Sequence, residues 1–411
     1  MLLARSPERD FEPAHAVDRL VEHIGNLGLT YELKKHGDDV FPIYKAQIYD
    51  HRNQTKWIGG GKGLDQQCVA SAIAECIQHR TAFNAVSEYD DGQVPLLRVA
   101  QILGAQKSRK LGKYSDIFER NGPTEYSALP YVSISDESDS IYYPVALTEP
   151  RYNKLPNADI AQADSLLWRS HDTGSSFGLT YDEALLHGIT EWIEKHTFSL
   201  FLLATYFEAG SDAEVTHISK ESLPSYLLEV IRHIETQFDD NLSIITLNND
   251  FDIPCILTVF NRQQDCVVQP KGLACSLHKQ YAIEKSVFEA LQCRLLRNAN
   301  TENKERQILR NFAEYPLFLP AFLLAMSDKT NTTAAYQELP LYDDLNLANQ
   351  ISTISERLER SGGYTIYRHI YKREPGGLTS LHVLIPGFNE TFLIKEGKFV
   401  VDRGQARKGL T

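Results

Sequence analysis

The chain has few cysteines, and none of them forms a CxxC pair. The six cysteines lie at scattered positions: Cys68, Cys76, Cys255, Cys266, Cys275 and Cys293. This spacing argues against a structural zinc site and against a disulfide framework. Free thiols fit a reducing environment, and we therefore expect a cytoplasmic protein.

Long apolar runs are also missing. The N-terminal residues contain no apolar stretch of the length found in signal peptides. The most apolar segments are 198–207 and 315–326, and the second contains Pro316 and Pro320. Both are shorter than the roughly 20 residues that a membrane-spanning helix needs. We therefore expect both segments to lie in a protein core rather than in a membrane.

Positive charge is in deficit. The chain contains 42 Lys and Arg residues against 54 Asp and Glu residues, which gives a formal net charge of −12. Nucleic acids and anionic membranes bind basic surfaces, so neither is an expected partner. This balance remains compatible with a locally basic site.

The 411 residues are 42% apolar, enough for a substantial core. Segments with helical periodicity lie at 14–27, 66–80, 181–205 and 280–297, and β-rich runs lie at 31–34, 40–49, 242–247, 255–260, 366–371, 381–384 and 392–394. This alternation predicts a mixed α/β (α+β) fold in a single large domain, with mixed sheets covered by helices. We expect residues 1–14 to be a tail and residues 15–411 to be the domain, with a variable insertion of helices and loops at about 85–140.

Three helix-like segments place polar residues on one face. The polar triplets are Ser71, Glu75 and Gln78; His187, Glu191 and Glu194; and Lys285, Glu289 and Gln292. Residues three or four positions apart share a helix face. If the three faces converge, their carboxylates form a cluster suited to hard cations and, through these cations, to phosphates.

Each triplet also has a simpler interpretation. The first fits a solvated helix face, and Lys285 with Glu289 fits an ordinary surface ion pair. His187 and Glu191 have the spacing of half a transition-metal site, but a packed or outward-facing histidine is the favoured reading. Glu191 and Glu194 are costly to bury on so apolar a helix unless they hold a cation or pair with bases.

A glycine-rich turn, Gly59–Gly63, precedes the first of these helices. Such a turn places backbone N–H groups, and here the ammonium of Lys62, where they can contact a phosphate. The spacing of a Walker A motif is absent. A flexible connection between a strand and a helix is the alternative.

In combination, these segments resemble the signatures of the YcaO family. The turn Gly61-Lys62-Gly63 followed by Ser71-x-x-x-Glu75-x-x-Gln78 is similar to the first, which reads G-K-G and then S-x-x-x-E-x-x-E-R. The helix ending in Glu191-x-x-Glu194-Lys195 resembles the second, E-x-x-E-R. Gly272 followed by Glu289-x-x-Gln292 resembles the third, which ends in E-x-x-Q. The likeness runs from about residue 15 to the C-terminus.

The resemblance implies a fold particular to this family, with an ATP site between helices and Mg2+ held by glutamates and the triphosphate. It implies activation of a peptide backbone amide: a nucleophile adds to the carbonyl, ATP phosphorylates the oxyanion, and phosphate leaves. The implied magnesium ligands are Glu75, Gln78, Glu191 and Glu194. The implied nucleotide-binding residues are Lys62, Ser71, Glu75, Arg80, Glu289, Gln292 and Arg294. No motif identifies the catalytic base.

Within the family, the chain looks most similar to the cyclodehydratase subunits of microcin-B-type azole synthetases. This likeness implies formation of thiazoline and oxazoline rings from Cys, Ser and Thr of a ribosomally made precursor peptide, in the biosynthesis of a bacteriocin-type antibiotic. Because no leader-binding domain precedes residue 15, we expect a separate leader-binding protein related to ubiquitin-activating enzymes. A flavin-dependent azoline dehydrogenase and a homo- or hetero-oligomeric assembly are also expected.

Four departures from the family pattern keep other outcomes open. Gln78 stands where the family has Glu, His79 stands at an Arg position, and Lys195 replaces the second Arg. The proline-rich tail of many azoline-forming members has no counterpart in residues 403–411. The alternatives are a YcaO enzyme that forms a thioamide or a macroamidine, and a non-catalytic YcaO-like scaffold subunit.

Overall fold

The computed structural model describes residues 6–88, 96–98, 102, 125–154, 166–208, 214–262, 266–326, 329–342 and 345–401. Most of the predicted insertion at about 85–140 lies outside the described residues, as do residues 402–411.

The described helices are α1 (Pro13–Asn26), α2 (Asp65–Glu88), α3 (Val145–Thr148), α4 (Tyr181–Leu202), α5 (Ser225–Phe238), α6 (Lys279–Leu295), α7 (Ala299–Phe312), α8 (Phe318–Leu323) and α9 (Leu347–Gly362). The described strands are β1 (Thr30–His36), β2 (Ile43–Asp50), β3 (Thr55–Gly60), β4 (Leu96–Arg98), β5 (Glu125–Ser133), β6 (Ser140–Pro144), β7 (Ser175–Gly178), β8 (Glu214–Ile218), β9 (Leu242–Leu247), β10 (Cys255–Phe260), β11 (Lys271–Cys275), β12 (Thr330–Ala334), β13 (Tyr367–Arg373) and β14 (Thr379–Leu384). The predicted mixed α/β class is confirmed.

The chain folds into two compact units, and neither is continuous in sequence. Unit 1 comprises Met1–Ile73, Ile193–Asn346 and Asn389–Thr411. Unit 2 comprises Ala74–Trp192 and Leu347–Phe388. Two boundaries between the units fall within helices α2 and α4. The residues of each of these helices are therefore divided between the two units.

Unit 1 contains two of the sheets formed by the described residues. Strands β1, β2 and β3 form an antiparallel meander, and the second sheet has the order β11-β10-β9-β8-β12. Its core joins helices α5 and α6 to the second sheet through Leu227, Ile231, Ile244, Ile256 and Phe288. Burial of such side chains stabilises by about 1.5–3 kcal/mol each. This packing fixes the position of α6, which carries the third polar triplet.

In unit 2, the described residues form a sheet of order β4-β5-β13-β14-β7, with β6 paired to β5. Strand β5 lies inside the region predicted as an insertion of helices and loops, and this part of the prediction is wrong. The alternating burial along β5 shows why, because Tyr126, Ala128 and Tyr131 are core residues of the sheet. Helix α4 begins where Thr180 accepts a hydrogen bond from the backbone N–H of Glu183 (3.2 Å).

The strand predicted at 392–394 is also wrong. Residues Thr391–Glu396 form a 3-10 helix instead. The side chain of Asn389 accepts the backbone N–H of Thr391 (2.9 Å), and Ser199 accepts that of Phe392 (2.9 Å). These side chains take the N–H groups that a strand would offer to a neighbour, and they turn the chain locally.

All six cysteines are free, in agreement with the sequence prediction. Among the described helices, none is both long enough and apolar enough to cross a membrane.

Candidate functional site

The glycine-rich turn is held against the start of helix α2. A Cβ atom on Gly61 would lie 1.9 Å from the carbonyl oxygen of Cys68, so no larger residue fits there. The backbone N–H of Lys62 donates to the hydroxyl of Ser71 (3.1 Å). Packing and a hydrogen bond therefore give this turn a defined position, and the flexible connection considered above is not what the structure has.

Lys62 reaches across to helix α6. Its Nζ lies 2.6 Å from a carboxylate oxygen of Glu289, and the two side chains are 28% and 16% exposed. Gly60, at the end of β3, lies against the side chain of Gln292, since a Cβ there would come within 2.5 Å of the amide nitrogen. The turn, Glu289 and Gln292 thus form one contact region within unit 1.

Helix α4 contributes a second ion pair to the same region. Glu194 is 7% exposed, and one of its carboxylate oxygens lies 3.1 Å from the Nζ of Lys195. Glu194 is also an electrostatic neighbour of Lys62. Residues from the three predicted helix faces, namely Ser71, Glu194 and Glu289, therefore converge on Lys62 within unit 1.

Two further lysines belong to this region. Lys285 lies one turn before Glu289 on α6, and its Nζ is 3.4 Å from a carboxylate oxygen of the buried Glu8. Lys271 begins strand β11, which helix α6 approaches closely because a Cβ on Gly272 would lie 1.9 Å from the carbonyl oxygen of Ser286. We call the group the lysine–glutamate cluster; its members are Glu8, Lys62, Glu194, Lys195, Lys271, Lys285 and Glu289.

Desolvation and mutual attraction shift the pKa values in the cluster. Desolvation alone would lower the pKa of Lys62, but Glu289 and Glu194 raise it above its usual value. Desolvation alone would raise the pKa of Glu289, but Lys62 and Lys195 lower it to about 2. Strong shifts of this kind, caused by desolvation and specific charge partners, are characteristic of functional sites.

Unit 2 holds four of the predicted site residues: Glu75, Gln78 and Arg80 on α2, and Glu191 on α4. One carboxylate oxygen of Glu191 accepts the backbone N–H of Gly174 (2.9 Å). Gly174 has a φ of +92°, and a Cβ on it would lie 2.2 Å from the carbonyl oxygen of Val383. Glu191 therefore holds in place a turn that requires glycine, in addition to any role with a metal.

Arg294 and the backbone of His79 each make contacts within their own unit. The guanidinium of Arg294 donates to the sulfur of Cys266 (2.9 Å) and lies 5.4 Å from the ring centroid of Phe238. In unit 2, Arg151 donates to the carbonyl oxygen of His79 (3.2 Å). The role of Arg294 as a phosphate contact stays a prediction.

Sequence reasoning missed Glu8 and Lys271 as members of the site. Glu8 lies in the segment taken as a tail, and its burial depends on contacts made in three dimensions. Lys271 directly precedes Gly272 of the third signature, and this adjacency was the available signal.

The cluster fits a nucleoside triphosphate better than it fits a metal ion alone. Its four ammonium groups face three carboxylates, which leaves positive charge for phosphate oxygens. Within the residues that the structure describes, no three His, Cys, Asp or Glu side chains form a group that could hold a metal ion. Mg2+ in nucleotide sites is usually held by one or two carboxylates together with substrate phosphates, rather than by an all-protein cage. Among the residues near Lys62, Glu194 is the predicted magnesium ligand that could serve in this way.

The sequence profile of the YcaO cyclodehydratase family, described as binding ATP and Mg2+, matches residues 60–389. The chain belongs to the YcaO family. The cofactors implied by the resemblance, ATP and Mg2+, are those of the family. No curated protein matches the sequence significantly.

Solved structures share the fold of this YcaO protein. YcaO from Methanopyrus kandleri, bound with AMPPCP and Mg2+, is 17% identical with a TM-score of 0.64, over 95% of this chain and 94% of that one. A heterocyclase in complex with substrate and cofactor is 19% identical with a TM-score of 0.65, over 95% of this chain. The match covers 54% of the heterocyclase, so this chain corresponds to about half of it. The E. coli microcin synthetase McbBCD complex with pro-MccB17 bound contains a chain that is 16% identical with a TM-score of 0.54, over 87% of this chain and 88% of that one.

Proposed function

We propose that this YcaO protein is an ATP- and Mg2+-dependent cyclodehydratase. In this proposal it activates backbone amides of a ribosomally made precursor peptide and forms thiazoline or oxazoline rings from Cys, Ser or Thr. The product would be an azole-modified peptide of the microcin or bacteriocin type. The family membership and the shared fold support the reaction class, and the choice of peptide rests on the likeness to the microcin synthetase subunit.

One observation carries the proposal. Residues of the three signature segments meet at the ion pair between Lys62 and Glu289. These two residues are 227 positions apart in the chain. Ser71 fixes the backbone of Lys62, and Glu194 lies beside it. A cluster this rich in desolvated charge is costly for stability alone, and its cost is understandable if the charges serve a ligand.

ATP with Mg2+ would supply the phosphoryl group that turns an amide oxygen into a leaving group. The chain's own residues would bind and position the reactants, which is most of what phosphoryl transfer asks of a protein. Lys62 and Lys195 would offset the negative charge of the phosphates. Glu289 would hold Lys62 in place, and Gln292 would contribute a neutral donor and acceptor beside the turn.

The proposal includes partners and location. A leader-binding protein related to ubiquitin-activating enzymes and a flavin-dependent dehydrogenase would act with this chain, in line with the complex formed by the microcin synthetase neighbour. Free cysteines suit a cytoplasmic location.

A second candidate function is motivated by one observation, the sequence Gln78-His79 in place of the family's Glu-Arg. The loss of one carboxylate weakens a magnesium site. A YcaO-like scaffold without catalysis would tolerate this change.

Calorimetry of Mg·ATP binding to the purified chain tests the proposal, with Glu289→Gln as the variant and Glu302→Gln, on the separate helix α7, as the matched control. We expect binding by the wild type and the control, and much weaker binding by Glu289→Gln. Product masses with the precursor peptide then separate the reactions. Each azoline ring loses the mass of one water, whereas a thioamide gains mass because sulfur replaces oxygen. Wild-type protein that binds ATP but yields no modified peptide with its partners would favour the scaffold.

A further inference from the structure

The charges of the lysine–glutamate cluster pair one to one, with one exception. Lys62 pairs with Glu289, Lys195 with Glu194, and Lys285 with Glu8. Among the described residues, the side chain of Lys271 makes no ion pair and no hydrogen bond. Its one specific contact is with an aromatic ring: the Nζ lies 5.1 Å from the ring centroid of Phe198.

The position of Lys271 is fixed by strand pairing and by helix α6. It stands opposite Val259 at the start of β11, and the adjacent Gly272 lets the backbone of α6 come within contact distance. A Cβ on Gly272 would also lie 2.9 Å from the Cβ of Glu289. Successive side chains of a strand leave it on opposite faces, so Lys271 faces away from α6 and towards α4, where Phe198 lies one turn after Glu194. Lys271 is an electrostatic neighbour of Glu194, Lys195 and Glu289, which places its ammonium beside the cluster.

The surroundings of Lys271 favour an added anion. Desolvation lowers the pKa of Lys271 and is the largest effect, and the neighbouring charge of Lys195 lowers it further; Cys293, Glu289 and Glu194 raise it by less, so the pKa stays below its usual value. An ammonium in such a place is destabilising unless a negative group comes to it. The three carboxylates of the cluster are already engaged by the other lysines.

We propose that Lys271 is a phosphate-binding residue, which contacts the phosphate groups of the nucleotide held at the lysine–glutamate cluster. This inference rests on the proposed function, because it takes a nucleoside triphosphate as the ligand. It assigns to strand β11 a role that the three helix signatures do not include. The uncompensated charge of Lys271 is then the feature that makes the empty cluster less stable and the phosphate-bound cluster more stable.

The test uses Lys271→Met, which keeps the approximate length and the apolar stem of the side chain beside Phe198 but removes the charge. Lys271→Arg keeps the charge. Lys329→Met is the matched control, because Lys329 also lies over an aromatic ring, 5.5 Å from the centroid of Tyr206, and donates to the carbonyl of Thr205 rather than to the cluster.

Calorimetry with Mg·ATP gives the first readout. We expect the Kd to rise about tenfold for Lys271→Met, to change by less than about threefold for Lys271→Arg, and to stay unchanged for the control. Adenosine, which carries no phosphate, should bind to wild type and to Lys271→Met with equal affinity. Equal Mg·ATP affinity of wild type and Lys271→Met would overturn the role of Lys271 and leave the proposed function standing. A loss of affinity that is the same for adenosine would also overturn it. Wild-type protein that binds no Mg·ATP would instead overturn the proposed function, and this inference with it.

Two readouts do not depend on catalysis. Thermal unfolding without nucleotide should show Lys271→Met to be as stable as wild type or more stable, because an unpaired ammonium has been removed. A clear loss of stability would mark Lys271 as a structural residue and overturn the proposal.

Cys293, the one exposed cysteine of the six, lies one helical turn after Glu289 and is an electrostatic neighbour of Lys271. Alkylation of Cys293 should slow with Mg·ATP, and Lys271→Met should need about tenfold more Mg·ATP for the same protection.

Discussion

The Nζ of Lys62 and a carboxylate oxygen of Glu289 lie 2.6 Å apart, although 227 positions separate the two residues in the chain. This contact joins the turn after β3 to the middle of α6. Both side chains are largely withdrawn from water, so they attract each other more strongly than in a typical surface salt bridge, and the loss of either one leaves a desolvated charge.

The coupling between these residues is measurable by a double-mutant cycle. We expect Lys62→Met and Glu289→Gln each to destabilise the protein, since each leaves the other charge desolvated. The double variant should lose less than the sum of the single losses, with a coupling energy on the order of 1–2 kcal/mol. Urea unfolding of the four proteins gives this number. Additive losses would mean that the two residues do not interact in solution.

The pH dependence of stability should report the state of Glu289. Desolvation would raise its pKa, but Lys62 and Lys195 outweigh this effect and lower the pKa from 4.5 to about 2. A carboxylate with a lowered folded pKa stabilises fully above its unfolded pKa and loses this contribution as the pH falls through the folded pKa. The stability advantage of wild type over Glu289→Gln should therefore be nearly constant above about pH 5.5 and shrink by about 3 kcal/mol towards about pH 2. An advantage that does not change over this range would contradict the lowered pKa.

Glu191 allows a structural role to be separated from a metal-binding role. We expect Glu191→Ala to abolish ATP-dependent modification and also to cost about 1–2 kcal/mol of stability, because the N–H of Gly174 loses its acceptor. Glu191→Gln keeps an oxygen acceptor for that N–H and removes the charge. It should be close to wild type in thermal stability yet weak in Mg2+-dependent ATP binding. Full binding by Glu191→Gln would remove Glu191 from the predicted magnesium ligands.

His382 should control the acid sensitivity of unit 2. Desolvation is the main cause that lowers its pKa from 6.5 to about 3, followed by the charges of His171 and His369. His382 packs against Tyr131, whose hydroxyl lies 3.2 Å from its Nδ1. A histidine buried in the neutral form destabilises the folded state as the pH falls below its unfolded pKa.

We therefore expect the stability of wild type relative to His382→Gln to fall between about pH 6.5 and about pH 3, by up to about 4 kcal/mol. Gln keeps a polar partner for Tyr131 and does not titrate. The surface variant His217→Gln serves as the control and should follow wild type. Parallel pH profiles for wild type and His382→Gln would show that His382 is not the titrating group.

Much of the fold could be predicted from periodicity. The strands at 242–247 and 255–260 and the helices around 14–27 and 280–297 form close to where the pattern placed them. The region 392–394 could not be predicted, because its apolar residues have the pattern of a strand while Asn389 and Ser199 bind the backbone N–H groups. Strand β5 could not be predicted because the residues next to it in sequence are polar and because its partner β13 lies more than 200 residues away.

The site was partly predictable for the same reason. Helix spacing and family resemblance indicated Ser71, Glu194 and Glu289, which converge on Lys62. The burial of Glu8 and the lack of a carboxylate partner for Lys271 depend on distances between segments that no local pattern encodes.

The division of the chain between the two units has a consequence for how the protein is made. Unit 2 is completed by Leu347–Phe388, and unit 1 by residues that follow Phe388. The first segments of each unit leave the ribosome long before the last ones. Neither unit can therefore complete its fold until nearly the whole chain has been synthesised. Contacts between distant segments form slowly, and unfinished sheets expose apolar strands in the meantime. The strands of both units therefore stay incompletely paired until most of the 411 residues have been made.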